Sequence, residues 1–328
     1  MAAPLRIGIL GAARIAPMAL IRPAKQVPEA AIVAVAARDP ARAHKFAAKH
    51  GIARVADSYA ALIADPEIDA IYNPLPNSLH AEWSIKALEA GKDVLCEKPL
   101  ASNADEAQAM ADAAVRCQRF LGEAFHYRYH PLAARMKAIV ESGALGSVQH
   151  IETMMCIPLP LPRDIRYRWD LAGGAVMDVG CYAINMLRFL AGAEPEVVRA
   201  EARLASPNVD RWMQADFRFA DGRTGRITCS LFSSQLLSIR ALVRGEHGEL
   251  RVFNPIAPHF YHRLAVRRAD GTQTERVPGD ATYTHQLRAF VAAVRDRAPF
   301  PTDAADGVAN MRVIDAVYEK AGLPRRGG

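Results

Sequence analysis

The sequence predicts an α/β protein of two domains, with a doubly wound parallel sheet over residues 1–124 and a mostly antiparallel second domain over residues 125–328. The chain has 328 residues, which suits two domains because a single domain commonly spans about 100–200 residues. Strand and helix patterns alternate in the first third, which is typical of a parallel sheet. After Phe125 to Pro131 most segments have strand patterns separated by turn signals, which indicates an antiparallel sheet.

The first domain is predicted to contain five short strands. They are Leu5 to Leu10, Ala31 to Ala36, Asp69 to Tyr72, Asp93 to Cys96, and Arg119 to Ala124. One helix is expected to follow Gly11 and continue past Pro17, and a second to lie between Asp39 and Gly51. The others are Ser58 to Ala64, Ser78 to Ala90, and Ser102 to Cys117. Asp39 is expected to cap its helix, with Pro40 in the first turn and Gly51 at the end.

The second domain is predicted to be mainly strands with a few helices. The strands include Val148 to Cys156, Val197 to Leu204, Met213 to Phe219, Thr224 to Phe232, Ile239 to Arg244, and Glu249 to Phe253. The helices are Leu132 to Glu141, Ala175 to Leu190, Tyr283 to Arg295, and Ala304 to Lys320. The sequence shows no internal repeat and no low-complexity linker.

Composition and charge exclude several classes of function. The formal net charge is +6, but 41 Lys and Arg residues are scattered among 35 Asp and Glu residues, so we expect no nucleic-acid partner. No uninterrupted apolar stretch reaches the roughly 20 residues needed to span a bilayer, and we expect no membrane insertion. The 5 cysteines form no CxxC pair and their odd number does not suit a closed disulfide framework, which favours the cytoplasm.

A small-residue turn follows the first predicted strand and opens a helix. Counted from Gly11, the GxGxxG/A pattern gives Gly11, Ala13 and Ala16, so alanine replaces the second glycine. Glycines in such a turn let the backbone approach a pyrophosphate, and the helix N-terminus offers N–H groups to it. The turn predicts cofactor contacts from Gly11, Ala13, Arg14 and Ile15, although small residues there also serve plain packing.

The end of the second strand predicts the type of dinucleotide. NAD-binding proteins commonly carry an acidic residue there, whereas this chain presents Ala37 and Arg38, followed by the capping Asp39. A guanidinium can donate charge-assisted hydrogen bonds to a 2′-phosphate, and Ala37 does not repel it. We therefore favour NADP over NAD. The alternative is that Arg38 is a solvated loop residue.

Two further strand ends are expected to line the same cleft, because ligands of open parallel sheets bind outside the carboxyl ends of the strands. The segment after Tyr72 predicts cofactor contacts from Pro74, Leu75, Asn77 and His80, with Ser78 as a helix cap and His80 either near the nicotinamide or packed. After Cys96, Glu97 is expected to bind the cofactor ribose. Lys98 is expected to lie where chemistry occurs.

The helix predicted at Ala175 to Leu190 carries a polar stripe. Asp178, Tyr182 and Asn185 have i, i+4 and i+7 spacing and share a face next to an apolar one. Such a helix either lines a cleft or is an ordinary amphipathic helix with a solvated side. The preceding Gly173-Gly174 pair allows a close approach of the backbone.

Together these motifs resemble the Gfo/Idh/MocA oxidoreductase family, and the resemblance covers almost the whole chain. The motifs are GILGAARIA (Gly8 to Ala16), NPLPNSLHAE (Asn73 to Glu82), CEKP (Cys96 to Pro99), EAFHYRYHP (Glu123 to Pro131), and GGAVMDVGCY (Gly173 to Tyr182). The resemblance implies a Rossmann domain followed by an α/β domain with a large open, largely antiparallel sheet. It also implies a homodimer or homotetramer formed through that sheet.

The family pattern D-x-G-x-H-x-x-D corresponds here to Asp178, Gly180, Tyr182 and Asn185, so tyrosine replaces the acid/base histidine. The chain is therefore similar to the tyrosine-containing branch, which includes glucose-fructose oxidoreductase, dimeric dihydrodiol dehydrogenase and NADP-dependent xylose dehydrogenase. A free phenol, with a pKa near ~10, is a weak base at neutral pH, and the ammonium of Lys98 would favour the phenolate. Asp178 either orients Lys98 or binds a substrate hydroxyl.

The predicted function is hydride transfer between NADP and a hydroxyl or carbonyl carbon of an aldose, sugar derivative or cyclic diol. The predicted substrate contacts are Tyr127, Arg166, Arg168, Trp169, Asp178 and Tyr182, although Trp169 could instead pack under Gly173-Gly174. No ligand set with metal-site spacing completes His126 and His130, so we expect no metal. Two alternatives remain, a noncatalytic nucleotide-binding regulator and an NAD-dependent glycosidase of the same fold.

Overall fold

A computed structural model describes residues 3–161 and 164–327, and these form two compact units. The first contains Met1–His126 together with Tyr283–Val308, and the second contains Tyr127–Thr282 together with Ala309–Gly328. The predicted division after residue 124 is therefore close to the first crossover of the chain. The assignment of residues 283–308 differs from the prediction, because these residues belong to the first unit and not to the second.

The first unit is built on a six-stranded parallel sheet. Its strands are β1 (Leu5–Leu10), β2 (Ala30–Ala36), β3 (Arg54–Val55), β4 (Ala70–Asn73), β5 (Asp93–Cys96), and β6 (Leu121–Glu123). The strand order is β3-β2-β1-β4-β5-β6. Successive strands are added on one side of β1 up to β3 and on its other side from β4 onward, which is the arrangement of a dinucleotide-binding sheet. Ile9, Val35 and Ile71 are wholly buried, because helices cover both faces of such a sheet.

Helices follow most of these strands. They are a π-helical turn (Pro17–Ile21) continued by α1 (Arg22–Ala24), then α2 (Pro40–His50), α3 (Tyr59–Ala64), α4 (His80–Glu89), and α5 (Ala104–Cys117). Asp39 caps α2 as predicted, since its Oδ1 accepts from the N–H of Ala41 at 3.0 Å. Ser78 does not cap α4; it lies in a 3-10 turn, and the N-cap of α4 is Leu79, with no side-chain bond.

The returning segment 283–308 completes the edge of the parallel sheet at β6. The ring of Phe120 lies 5.9 Å from that of Phe290 and 5.2 Å from that of Phe300. The N–H of Glu123 donates to the carbonyl oxygen of Thr302 at 2.8 Å, and the Thr302 hydroxyl donates back to the Glu123 carbonyl at 2.6 Å. These apolar and backbone contacts explain why the segment belongs to this unit.

The second unit contains an eight-stranded sheet. Its strands are β7 (Val148–Cys156), β8 (Glu196–Ser206), β9 (Val209–Arg218), β10 (Thr224–Ser230), β11 (Ser238–Gly245), β12 (Gly248–Phe253), β13 (Arg263–Arg268), and β14 (Gly271–Glu275). The order is β14-β13-β12-β11-β7-β10-β9-β8, and β7 pairs in parallel with β10 while the other neighbours are antiparallel. The mixed α/β class and the large, mostly antiparallel sheet are thus as predicted, with β13 and β14 in addition.

The remaining helices are α6 (Pro131–Glu141), α7 (Cys181–Ala191), α8 (Thr282–Asp296), and α9 (Ala304–Lys320). A π-helical turn, Val176–Gly180, leads directly into α7. Every residue from Cys181 to Arg188 is buried, so α7 is not an amphipathic helix with a solvated side. In the part of the chain that the structure describes, no helix is long and apolar enough to cross a membrane.

Candidate active site

Four strand ends of the first unit gather the predicted cofactor residues at one edge of the sheet. Gly11 follows β1, Ala37 follows β2, Pro74 follows β4 and Glu97 follows β5. Because all these strands run in parallel, their carboxyl ends meet at the same edge. The sequence thus brings the predicted cofactor segments to the crevice where the strand order reverses.

The turn after β1 has the shape of a phosphate cradle. Gly11 has φ +85°, and a Cβ atom there would lie 3.0 Å from Leu75 Cδ2 and 3.7 Å from the Tyr59 hydroxyl. Within the described chain, the N–H groups of residues 12–15 donate to no other protein atom, so four donors are available to an anion. The turn therefore fits a dinucleotide pyrophosphate, with Ala13 half-buried where the motif has its second glycine.

The end of β2 presents positive charge to the same crevice. Ala37 is buried, Arg38 is exposed, and the carboxylate of Asp39 is occupied with the N-terminus of α2. Arg42 lies one helical turn after Arg38, and its guanidinium donates to the Ala12 carbonyl oxygen at 3.0 Å. Arg42 lies outside the motifs that predicted the site, although its i+4 spacing from Arg38 was a usable signal.

The segment after β4 is fixed by buried hydrogen bonds. Asn73 Nδ2 donates to Ser84 Oγ at 3.0 Å, and the Asn73 side-chain oxygen accepts from the N–H of Leu75 at 3.3 Å. Pro74 and Leu75 are buried and Asn77 is half-buried. This segment thus contributes a rigid wall to the crevice.

The side chain of His80 is packed, which is one of the two arrangements expected for it, and its contact with the cofactor stays a prediction. The ring is 0% exposed, and its nitrogens lie 2.9 Å from the Pro99 carbonyl oxygen and 2.7 Å from that of Leu75. Burial lowers the pKa of His80 to about 4, so the ring is neutral at physiological pH. A neutral ring has one N–H and donates to only one of these two carbonyl oxygens, so the ring lies packed between the loop after β4 and the loop after β5.

The loop after β5 carries Glu97 and Lys98. Glu97 Oε1 accepts a hydrogen bond of 2.6 Å from the Tyr72 hydroxyl, which fixes the orientation of the carboxylate. The Glu97 N–H donates to the Asn73 carbonyl oxygen at 3.0 Å, so this loop is also tied to β4. Lys98 is half-buried at the tip. No sequence motif indicated that Tyr72 would bond Glu97.

In the second unit, the start of the α7 segment carries an ion pair. Asp178 Oδ2 lies 3.0 Å from Arg166 Nε, and Asp164 Oδ1 also accepts from Arg166 Nη1 at 3.1 Å. The charge of Asp178 raises the pKa of Arg166, which therefore stays a cation. The structure brings together two residues that we predicted as substrate contacts, and it gives Asp178 a partner that we had not expected.

Tyr182 is the second residue of α7 and is 5% exposed, with its ring 6.2 Å from that of Tyr127. Tyr127 is 1% exposed and its hydroxyl donates to Asn185 Oδ1 at 2.7 Å, so it packs beside Tyr182. Its contact with substrate stays a prediction. Asn185 is wholly buried in this packing, so it is not part of a cleft-lining stripe.

The segment before α7 carries the other predicted substrate contacts. Arg168 is exposed and pairs with Asp170, while Trp169 is half-buried with the Arg326 guanidinium 4.7 Å from its ring centroid. The N–H of Gly173 donates to the Arg168 carbonyl oxygen at 2.8 Å. Lys98 belongs to the first unit and Tyr182 to the second, and their pairing stays a prediction.

Within residues 3–161 and 164–327, no group of three or more His, Cys, Asp and Glu side chains could hold a metal ion. The five cysteines are free thiols. Asp210 and Arg326, which sequence analysis also missed, form a wholly buried ion pair next to Gly174. Their sequence separation hid this relation, since neither residue lies in a recognisable motif.

Comparison with known proteins agrees with both units. A family model described as an oxidoreductase family with an NAD-binding Rossmann fold matches residues 5–125. A second model, for the GFO/IDH/MocA C-terminal domain, matches residues 133–251. These ranges correspond to the parallel sheet and to most of the eight-stranded sheet.

Three similar proteins extend over nearly the whole chain. D-xylose 1-dehydrogenase (NADP(+)) 2 of Haloferax volcanii is 37% identical over 97% of both chains. A dTDP-3,4-didehydro-2,6-dideoxy-α-D-glucose 3-reductase of Streptomyces violaceoruber is 32% identical over 97% of this chain and 96% of its own. The crystal structure of a 3-ketoreductase from Actinomadura kijaniata with NADP and TDP-benzene has a TM-score of 0.89 and 29% identity, covering 97% of this chain and 98% of that one.

Proposed function

We propose, because this chain belongs to the Gfo/Idh/MocA oxidoreductase family, that it transfers hydride between NADP and a hydroxyl or carbonyl carbon of a sugar. The substrate is an aldose, a sugar derivative or a related cyclic diol. The observation that carries this proposal is the convergence of Gly11, Arg38 and Glu97 on one edge of the parallel sheet. Sugar dehydrogenase and keto-sugar reductase activities of the similar proteins support the substrate class.

The crevice of the first unit fits NADP. The free N–H groups after Gly11 suit the pyrophosphate, and the hydrogen-bonded Glu97 carboxylate suits a ribose hydroxyl. Arg38 suits a 2′-phosphate, since the neighbouring acidic side chain is engaged at the α2 N-terminus. When bound, NADP supplies the hydride acceptor or, as NADPH, the donor.

On the substrate side, Tyr182 acts as the acid/base group. Oxidation of an alcohol requires removal of the hydroxyl proton, and the Tyr182 phenolate accepts it; reduction returns the proton to the carbonyl oxygen. Lys98 favours the phenolate by its positive charge. Asp178 and Arg166 bind substrate hydroxyls, with the charge of each fixed by the other at 3.0 Å. Arg168 and the half-buried Trp169 offer a further hydrogen-bonding and stacking surface.

We further propose that the protein forms a homodimer or homotetramer through its eight-stranded sheet. Exposed Arg240, Arg251 and Phe253 on β11 and β12 support this, because they give one face of the sheet both apolar area and charge. Analytical ultracentrifugation of the protein and of Phe253→Glu tests it, since a lost dimer in the variant supports the sheet as the interface. The free thiols support a reducing, cytoplasmic location.

The decisive test is turnover of purified protein with NADP or NAD and a panel of pentoses, hexoses and dihydrodiols. We expect formation of reduced nicotinamide with at least one sugar and a lower KM for NADP than for NAD. A nucleotide-linked keto sugar with NADPH tests the reverse direction. Stoichiometric NADP binding without turnover would instead indicate a regulator. Release of a sugar leaving group without net cofactor reduction would indicate a glycosidase.

A further inference from the structure

A wholly buried ion pair lies at the centre of the second unit. Arg326 Nη2 is 2.8 Å from Asp210 Oδ1, and both side chains are 0% exposed. The Tyr318 hydroxyl donates to the same carboxylate oxygen at 2.9 Å, and the Tyr318 ring centroid lies 3.9 Å from the Arg326 guanidinium. The pair is therefore held in one geometry by hydrogen bonds and by a cation–π contact.

The remaining bonds of this pair reach the backbone just before the helix with Asp178. Arg326 Nε donates to the Gly173 carbonyl oxygen at 2.8 Å, and Asp210 Oδ2 accepts from the N–H of Val176 at 2.8 Å. Gly174 lies between these two bonds with φ +136°, and a Cβ atom there would collide with Asp210 Oδ1. The ion pair thus fixes the path of the chain from Gly173 to Val176.

That path determines the position of the proposed substrate contacts. The N–H of Gly174 donates to the Arg166 carbonyl oxygen at 2.8 Å, and its own carbonyl accepts from the Asp178 N–H at 3.0 Å. Arg326 also lies over the ring of Trp169, with 4.7 Å to the centroid. Both members of the Arg166–Asp178 pair and the Trp169 ring are therefore attached to the segment that the buried pair holds.

Stability alone does not require charges at these two positions. Well-packed apolar side chains of similar volume often replace a buried ion pair without loss of stability. Apolar side chains could not, however, bond the Gly173 carbonyl and the Val176 N–H at the same time. What the charged pair provides is a fixed geometry for this segment.

We propose that Arg326 and Asp210 are positioning residues for the substrate side of the active site. This inference rests on the proposed roles of Arg166, Trp169 and Asp178. Neither Arg326 nor Asp210 contacts substrate in this proposal. Both act through the Gly173–Val176 backbone, and Arg326 also acts through the ring of Trp169.

The test compares Arg326→Ala and Arg326→Lys with Arg325→Ala, whose guanidinium is on the neighbouring residue but is half-exposed. We measure kcat, the sugar KM and the NADP dissociation constant, and we express kcat per NADP-binding site. For Arg326→Ala we expect kcat/KM to fall about 100-fold, since a displacement of about 1 Å has that effect. The sugar KM should rise, with NADP affinity unchanged, because the cofactor crevice belongs to the first unit. Arg325→Ala should resemble the wild type.

Guanidinium ion provides a second readout that a purely structural role would not give. At non-denaturing concentrations it should restore part of the kcat/KM of Arg326→Ala by lowering the sugar KM, and it should not stimulate the wild type. If Arg326→Ala does not fold, the same measurements are made on Arg326→Lys. A raised sugar KM with unchanged NADP affinity in that variant supports the positioning role. A variant with wild-type KM and kcat per NADP-binding site would overturn the positioning role.

Failure of the proposed residue roles gives a different pattern. If Asp178→Asn and Tyr182→Phe keep wild-type kinetics, the active-site assignment is wrong, and the positioning inference is overturned with it. If those two variants lose turnover but both Arg326 variants do not, only the positioning inference is overturned. The inference is supported when the Arg326 effect becomes much smaller in an Asp178→Asn background, since residues that act through one contact are not additive.

Discussion

Arg166 and Asp178 form an ion pair across the Gly173-Gly174 turn, with Arg166 Nε 3.0 Å from Asp178 Oδ2. The pair is asymmetric in exposure, because 43% of the Arg166 side chain but only 16% of the Asp178 side chain is exposed. Arg166 can therefore contact a ligand while Asp178 holds the Arg166 guanidinium from the helix side. An action of Asp178 through Arg166 is thus an alternative to its direct contact with a substrate hydroxyl, and the sequence did not suggest it.

Asp178→Asn should weaken sugar binding and turnover. Loss of a charge-assisted hydrogen bond costs about 1.5–3 kcal/mol, so kcat/KM for the sugar should fall about 10- to 100-fold. Steady-state kinetics at saturating NADP measures this. The control is Asp170→Asn, which removes the solvent-exposed ion pair between Asp170 and Arg168. Because exposed ion pairs contribute little, kcat/KM should change less than about fivefold. Equal effects of the two substitutions would contradict the assignment.

Arg38→Ala should shift the cofactor preference from NADP toward NAD. The variant loses a charged donor to the 2′-phosphate, so the KM for NADP should rise about 10- to 100-fold while that for NAD changes little. Lys45→Ala removes an exposed cation from α2 and is the matched control. If Lys45→Ala has the same effect, general attraction by positive charge, rather than a specific contact, explains the preference.

Tyr182→Phe and Lys98→Met test the acid/base assignment. Loss of the Tyr182 hydroxyl should lower kcat about 10²- to 10⁴-fold, with NADP affinity retained. Lys98→Met should move the rising limb of the kcat–pH profile for oxidation to higher pH, because the phenolate loses a neighbouring cation. Tyr127→Phe keeps a ring next to Tyr182 and should affect kcat much less. Full turnover in Lys98→Met would refute the mechanism.

His80 should make folding stability depend on pH. Its pKa is about 4 in the folded chain against 6.5 ordinarily, so between these values the unfolded chain binds more protons. The free energy of unfolding is therefore greatest above about pH 6.5 and falls by about 3 kcal/mol as the pH drops to about 4. Urea unfolding of the wild type and His80→Gln across this range should show the difference. His44→Gln, exposed on α2, should follow the wild type.

Gly174→Ala should destabilise the second unit far more than Gly222→Ala. Both glycines have positive φ, +136° and +87°, but only at Gly174 would the added methyl meet other atoms, including the Tyr318 hydroxyl at 2.8 Å. We expect about 1–2 kcal/mol of backbone strain for Gly222→Ala and at least twice that loss for Gly174→Ala. Thermal unfolding measures both. Similar melting temperatures would show that the segment can move away from Asp210.

Local features of the fold were predictable from the sequence. The parallel strands ending at Leu10, Ala36 and Cys96 are apolar runs with clear turn signals, and the capping of α2 by Asp39 depends on neighbouring residues alone. The strand β13 escaped prediction because its apolar run is short, Leu264 to Val266, with arginines on both sides. Segments with mixed signals depend on sheet neighbours that the sequence does not identify.

At the site, the sequence motifs do not show tertiary contacts. His80 and Tyr127 belong to motifs that resemble a cofactor or substrate site, but their partners, Pro99 and Asn185, come from other segments of the chain. Residue type and spacing show that a polar group is present; they do not show whether it faces a ligand or a neighbouring loop. For the same reason the sequence did not show that the Tyr72 hydroxyl bonds Glu97.

The return of residues 283–308 to the first unit affects the order in which the chain can fold during synthesis. The parallel sheet emerges from the ribosome first, but Phe290 and Phe300, which cover Phe120 at its edge, follow only after the whole eight-stranded sheet. Until then this edge is unprotected and open to aggregation or chaperone binding. A fragment ending near His126 would share that weakness, and joining residues 283–308 to it by a short linker should restore its solubility.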